Sequence, residues 1–211
     1  MGTSVSPWLQ IKRLMASPMR RCMLTATPLS KALWIPIEVK GDIFEHGGCF
    51  DGSKVVDGQV AGCTGLTKAE LEGEFPGCVV PKELAAGWWT EEQGCETVAQ
   101  AQERITKVAA WLWSVAEGWQ AADGALCIVV HGMFIDILTK LLIGIPPTTG
   151  KQQAVFCSKN AGVHILELKA SSDGNIAGLQ RFNVLHHLPE ALQTGGSVAG
   201  MDECYMEEGA A

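Results

Sequence analysis

The run Ala125 to Val130, unbroken by any polar residue and bounded by Gly124 and His131-Gly132, constrains this chain more than any other feature. It is too short for a stable helix and shows no alternation, which is how a strand buried on both faces of a parallel sheet reads. Parallel strands need crossover connections, and helical patterns lie on either side of it. A long one runs from Glu92 to Trp119, with Val98, Ala101, Ile105, Val108, Ala109, Leu112 and Val115 forming one apolar stripe. A shorter one covers Met133 to Leu142.

Near the amino terminus, Ile11 to Ser17 reads as a strand. Pro18 then suits a first helical turn, Ser17 can cap it, and Met19, Met23, Leu24, Ala26 and Leu29 recur at near-helical spacing. Further strands are expected at Trp34 to Glu38, Gly162 to Leu168 and Leu179 to Asn183, and a short helix at Thr67 to Glu74, where Thr67 and Glu70 make a capping-box pattern. Gly41 to Gly65 reads as a long irregular loop, Trp88-Trp89 falls in a loop, and the acidic, Gly-rich tail after Pro189 reads as disordered. Strands alternating with helices predict an α/β fold, three layers with a mainly parallel sheet. One domain over residues 1–188 and a disordered tail over 189–211 are expected for a chain of 211 residues.

Composition narrows the class. The net charge is -7 and no Lys/Arg block exceeds a pair, so the footprint of a nucleic-acid binder is missing. No apolar run reaches the ~20 residues of a membrane span. Eight cysteines stand singly, without a CxxC pair or secretory signal, and read as reduced cytoplasmic thiols. Met1 to Ser6 fits a loose N-myristoylation pattern at Gly2.

Ligands gather beyond the carboxyl ends of strands in such sheets, and two clusters fall there. In Ser17-Pro18-Met19-Arg20-Arg21-Cys22-Met23-Leu24-Thr25-Ala26, Arg21 lies one turn into a helix, where a guanidinium and free N–H groups can grip phosphate. On charge alone, a solvated surface pair of Arg20 and Arg21 is the commoner case. In Val129-Val130-His131-Gly132, the imidazole ends a buried strand and can donate to an oxyanion or carry a proton, although a purely structural histidine fits as well; Gly132 allows a tight helix entry. Glu45, in Ile43-Phe44-Glu45-His46-Gly47-Gly48, can serve as a general acid if a dry, anion-rich pocket keeps it protonated; most loop carboxylates are solvated.

The first of these stretches resembles the histidine-phosphatase (phosphoglycerate-mutase-like) pattern S-P-x-x-R-x-x-x-T-A, and Val129 to Phe134 resembles that family's second-histidine strand end. Asn160-Ala161-Gly162-Val163 resembles its N-x-x-V entry, and Asn183 with His187-Leu188 its closing N-x-x-x-H-L. Four motifs in order span Ile11 to Leu188. The resemblance implies phosphoryl transfer through a phosphohistidine, with Ser17, Arg21, His131, Gly132 and Asn160 binding phosphate and Arg21, His131 and Glu45 acting in catalysis. It implies no metal or other cofactor, and a small phosphorylated metabolite or inorganic phosphate as ligand; homo-oligomerisation is left open.

The family's R-H-G signature does not occur: no Arg-His pair exists in the sequence, and His46 lies on the wrong side of Arg21 behind a repelling carboxylate. No nucleophile is assigned. The family's first strand is expected centrally, between the strands starting at Ile11 and Ala125, so its loss should leave unpaired backbone groups at about 1–3 kcal/mol each. A chain that begins downstream of its authentic start is the expectation, with repacking or a strand from another polypeptide as alternatives. The phosphatase parent is then inactive in this form, or the chain is a non-catalytic phospholigand-binding domain. Gly41 to Trp89 carries few cations, only Lys54, Lys68 and Lys82, which favours a phosphatase over a mutase acting on polyanions.

Overall fold

The computed structural model describes residues 10–56, 59–146 and 154–197. Its elements are β1 (Ile11–Ala16), α1 (Arg20–Leu33), β2 (Ile37–Val39), β3 (Phe50–Val56), β4 (Gln59–Gly62), α2 (Lys68–Glu74), α3 (Val98–Gly118), β5 (Ala125–Val129), α4 (Gly132–Leu142), β6 (Val163–Lys169) and β7 (Ile176–Val184). The fold is mixed α/β with a parallel sheet. The described residues fall into two compact units, one of those up to Glu96 with Trp119–Val130, the other of Thr97–Gly118 with those from His131 onward.

The first unit is built on the sheet β2-β1-β5, parallel throughout. The strands that start at Ile11 and Ala125 pair directly, Leu14 opposite Cys127 and Ala16 opposite Val129. No gap lies between them, so the unpaired backbone groups expected there do not arise. Beyond β2, Val79 continues the pairing, its N–H donating to the Ile37 carbonyl at 2.8 Å and its carbonyl accepting from Val39 N at 2.9 Å. The apolar core joins Leu14, Ala16, Met23, Ala26, Ile37, Val39, Phe44, Leu71, Trp88 and Trp89, among others. Trp88 and Trp89 lie in a loop, as expected, and are packed into the core. β5 is less buried than its sequence implies: all five residues are half-buried.

α1 begins two residues later than Pro18, with Met19 as its cap residue and no side-chain cap. Ser17 instead accepts the Met19 N–H at 3.3 Å in the turn ahead of it. The helix buries Cys22, Met23 and Ala26, while Leu24 and Leu29 face solvent. α2 carries the expected capping box of Thr67 and Glu70. The stretch expected as irregular holds an antiparallel hairpin, β3 with β4, whose ladder pairs Phe50 with Gly62 and Asp51 with Ala61.

In the second unit α3 starts at Val98, where its apolar stripe begins and six residues after the expected start at Glu92, because Thr97 caps it through the Gln100 N–H at 3.3 Å. Ala101, Ile105, Val108, Ala109 and Leu112 are buried as expected. β6 and β7 pair antiparallel. Asp136 and Lys140, which interrupt the apolar pattern of α4, form a fully buried ion pair at 2.8 Å, and the other Asp136 oxygen accepts the Phe156 N–H at 2.7 Å. Residues 190–197, placed in a disordered tail by composition, include a turn at Glu190–Leu192 and a Thr194–Gly195 segment paired with Lys159 and Asn160. The rest of that tail, and Gly2, lie outside the described residues. Among the described residues, no helix is long and apolar enough to cross a membrane.

Candidate functional site

Because β1, β2 and β5 run parallel, their carboxyl ends share one edge of the sheet. Ser17 leaves β1 at that edge, fully buried, and its N–H donates to the Val129 carbonyl at 3.0 Å. Lys40 leaves β2 there, its N–H donating to the Ala16 carbonyl at 3.1 Å and its ammonium held by Asp42 at 2.8 Å. The sequence reading did not single out Lys40; its place directly after a strand was the available signal.

Arg20 and Arg21, adjacent in sequence, diverge. Arg20 pairs with Glu74, its Nε and Nη2 donating at 3.0 and 2.7 Å. The Arg21 charge, the Glu45 charge and the Ser17 side chain all act on the Cys22 thiol, so these residues of the first unit lie near it. Thr25, the threonine of that motif, has a structural part, its hydroxyl donating to the Arg21 carbonyl at 2.9 Å.

Cys22 was not foreseen as part of this group. Burial pushes its thiol up to about 12, against the opposing pull of Arg21 and with Glu45 adding to the rise. At neutral pH it is a protonated thiol and a poor nucleophile.

Glu45 is fixed by what precedes and follows it. Ile43 and Phe44 are buried, and the Phe44 ring meets Trp88 and Trp89 at centroid distances of 5.4 and 5.1 Å, the second edge-on. Two left-handed glycines turn the chain after it. At Gly48 (φ +74) a Cβ would come within 2.5 Å of the Trp89 ring, so only glycine fits. The Glu45 carbonyl accepts the Gly48 N–H at 3.1 Å, and its carboxylate accepts the His46 N–H at 3.0 Å.

The remaining predicted residues belong to the second unit. His131 is buried and occupies the cap position of α4, with extended backbone and a carbonyl that accepts the Ile135 N–H at 2.9 Å. Gly132 does not have the left-handed conformation that a forced tight entry would require, and a Cβ there would meet nothing within 4 Å. Its smallness keeps that helix end open. Asn160 is exposed, and its side-chain amide donates to Thr194 Oγ1 at 3.0 Å.

Asn160 sits in a turn that the two later motifs build together. Asn183, itself left-handed (φ 57), accepts the Lys159 N–H at 2.8 Å and donates to the Cys157 carbonyl at 2.9 Å. His187 Nε2 lies 3.1 Å from the Ala161 carbonyl. His164 Nδ1 accepts the Asn183 N–H at 3.1 Å, and burial lowers the pKa of that imidazole. Among the described residues, no group of three or more His, Cys, Asp and Glu is placed to hold a metal ion.

The family model of the histidine phosphatase superfamily, branch 1, matches residues 3–177, and the chain belongs to that superfamily. No curated protein matches it significantly. Among solved structures, a mycobacterial hydrolase is 21% identical with a TM-score of 0.50, covering 84% of this chain and 72% of its own, and shows the same fold. The native mycobacterial glucosyl-3-phosphoglycerate phosphatase is 23% identical, with a TM-score of 0.48 and coverage of 82% and 78%. The ecdysone phosphate phosphatase of Bombix mori, in complex with tungstate, is 19% identical, with a TM-score of 0.47 and coverage of 70% and 53%.

Proposed function

We propose that this chain binds phosphate esters or inorganic phosphate as a histidine-phosphatase-family domain, with Arg21 as its principal phosphate ligand, and that in its 211-residue form it does not turn them over. The observation that supports this reading is that Arg21, Glu45 and Ser17 all act on the Cys22 thiol, in the first turn of the helix that follows β1. Arg21, with five N–H donors in a planar fork, can make two parallel bonds to phosphoryl oxygens. His131 has the part its motif gives it, a hydrogen-bond donor to phosphoryl oxygens, and Gly132 and Asn160 are further candidates from the same resemblance. Glu45 supplies a proton to the leaving oxygen in a complete member of the family. Phosphoryl transfer through a phosphohistidine also needs the R-H-G histidine, and these 211 residues contain no such triplet.

Within the family's chemistry, phosphatase activity fits this chain better than mutase activity. Of the few cations between Gly41 and Trp89, Lys68 is committed to Glu72 at 2.5 Å and to the Val80 carbonyl at 2.6 Å. Little positive charge is left there for a second phosphate.

The test is phosphate binding by calorimetry, together with hydrolysis of an aryl phosphate without added metal, on the chain and its Arg21→Ala and His131→Ala variants. Binding weakened in both variants, with no hydrolysis, is expected. Hydrolysis that disappears in both variants would sink the reading, since a nucleophile must then exist in this chain.

A further inference from the structure

We infer that Cys49 and Cys63 form a dithiol that closes reversibly to a disulfide across the base of the β3–β4 hairpin, by exchange with a low-molecular-weight disulfide. Cys49 immediately precedes β3 and Cys63 immediately follows β4, one step beyond the paired residues Phe50 and Gly62. The Cys63 N–H donates to the Cys49 carbonyl at 2.8 Å, so the two residues stand opposite one another as the next rung of the ladder. Hydrogen-bonded antiparallel partners have Cα atoms about 5.5 Å apart, and disulfides span Cα separations of about 4.4–6.8 Å. The bridge needs no backbone rearrangement.

Side-chain contact agrees with the backbone. The Cys63 thiol lies near enough to act on the Cys49 thiol, and both residues are half-buried, within reach of a small reagent. The neighbouring cysteines are engaged elsewhere: Cys22 with Ser17, Cys78 with the Leu71 carbonyl at 3.7 Å, and Cys95 with the Glu96 carbonyl at 3.9 Å.

In the reaction one protein thiolate attacks the small disulfide and expels a thiolate. The second protein thiolate attacks the resulting mixed disulfide and expels another. Two protein S–H bonds are lost, one S–S bond forms between Cys49 and Cys63, and the small disulfide leaves as two thiols carrying the two protons. Burial and the neighbouring Cys63 push the Cys49 thiol up, so its thiolate is scarce at neutral pH and exchange quickens as pH rises.

The bridge lies one residue from Gly48, which packs under Trp89 and bonds the Glu45 carbonyl. Closing it therefore fixes the segment that carries Glu45. That consequence rests on the function proposed for Glu45; the exchange chemistry does not.

The test equilibrates the folded 211-residue chain with oxidised and reduced glutathione at fixed ratios, blocks free thiols and digests it with trypsin without reduction. Trypsin cuts after Lys54, so Cys49 and Cys63 fall in separate peptides, 41–54 and 55–68. The expected result is a linked pair of these peptides, two hydrogens lighter than their sum, that falls apart on reduction and is absent from Cys49→Ser and Cys63→Ser. Glutathione retained on Cys49 with Cys63 still free, linkage of either to another cysteine, or no linkage at any ratio would each overturn the inference. Phosphate binding is not the readout, so failure of the proposed function leaves the result interpretable.

Discussion

Arg21 is the residue on which the functional reading turns, because its neighbour Arg20 is already committed to Glu74. A charge-assisted hydrogen bond contributes about 1.5–3 kcal/mol, so Arg21→Ala should weaken phosphate binding roughly tenfold to a hundredfold. Arg21→Lys should recover only part of this, since an ammonium lacks the planar fork. Arg20→Ala serves as the control and should leave binding near the parent value. A second residue-scale expectation concerns pH. Burial lowers the folded-state pKa of His164, so below the unfolded value of about 6.5 the unfolded chain binds the extra proton more readily than the folded one. Its contribution to stability is therefore complete above that value and is lost as pH falls through it toward the folded pKa. Denaturant midpoints measured from pH 8 to 5 should fall less steeply in His164→Gln than in the parent; an identical slope would show that another group governs the acid limb.

At the scale of elements, the Glu45 segment is held by shape and α4 by charge. Gly48→Ala must place a methyl against the Trp89 ring in a left-handed conformation, and should lower the melting temperature by several degrees while changing Trp fluorescence. Asp136→Ala withdraws the buried counter-charge of Lys140 and the acceptor of the Phe156 N–H, which should cost about 3–5 kcal/mol in urea denaturation. Here the sequence is a good guide to some features and a poor one to others. α2 stands where the pattern put it and α3 follows its apolar stripe, although it starts six residues after the expected Glu92, because capping and burial agree there. The β3–β4 hairpin was not legible, since the glycines and single cysteines of Gly41 to Gly65 resemble a loop and the pairing that orders them is non-local. The direct partnership of β1 with β5 could not be read either: strand order depends on which edges meet, and neither strand's residues encode that. Ser17, Arg21 and Glu45 stand out in the sequence through their motif and setting, whereas Cys22 and Lys40 look like ordinary residues until their surroundings are known. Asn160 was foreseen as a ligand and is found bonded to Thr194, in a turn that the later motifs brace.

For the molecule as a whole, the two-unit division has a measurable expression. Two compact units are expected to lose structure in more than one step. Hydrogen exchange followed peptide by peptide is expected to give the sheet β2-β1-β5 one opening free energy and the pair α3 and α4 another. Coincident values throughout would mean that the units unfold as one. The division also interleaves the chain, which passes from one unit to the other after Glu96, after Gly118 and after Val130. During synthesis, β1 leaves the ribosome more than a hundred residues before β5, its parallel neighbour. The nascent first unit must therefore wait, with one side of β1 open, while all of α3 is made, and that interval is when a chaperone has most to shield.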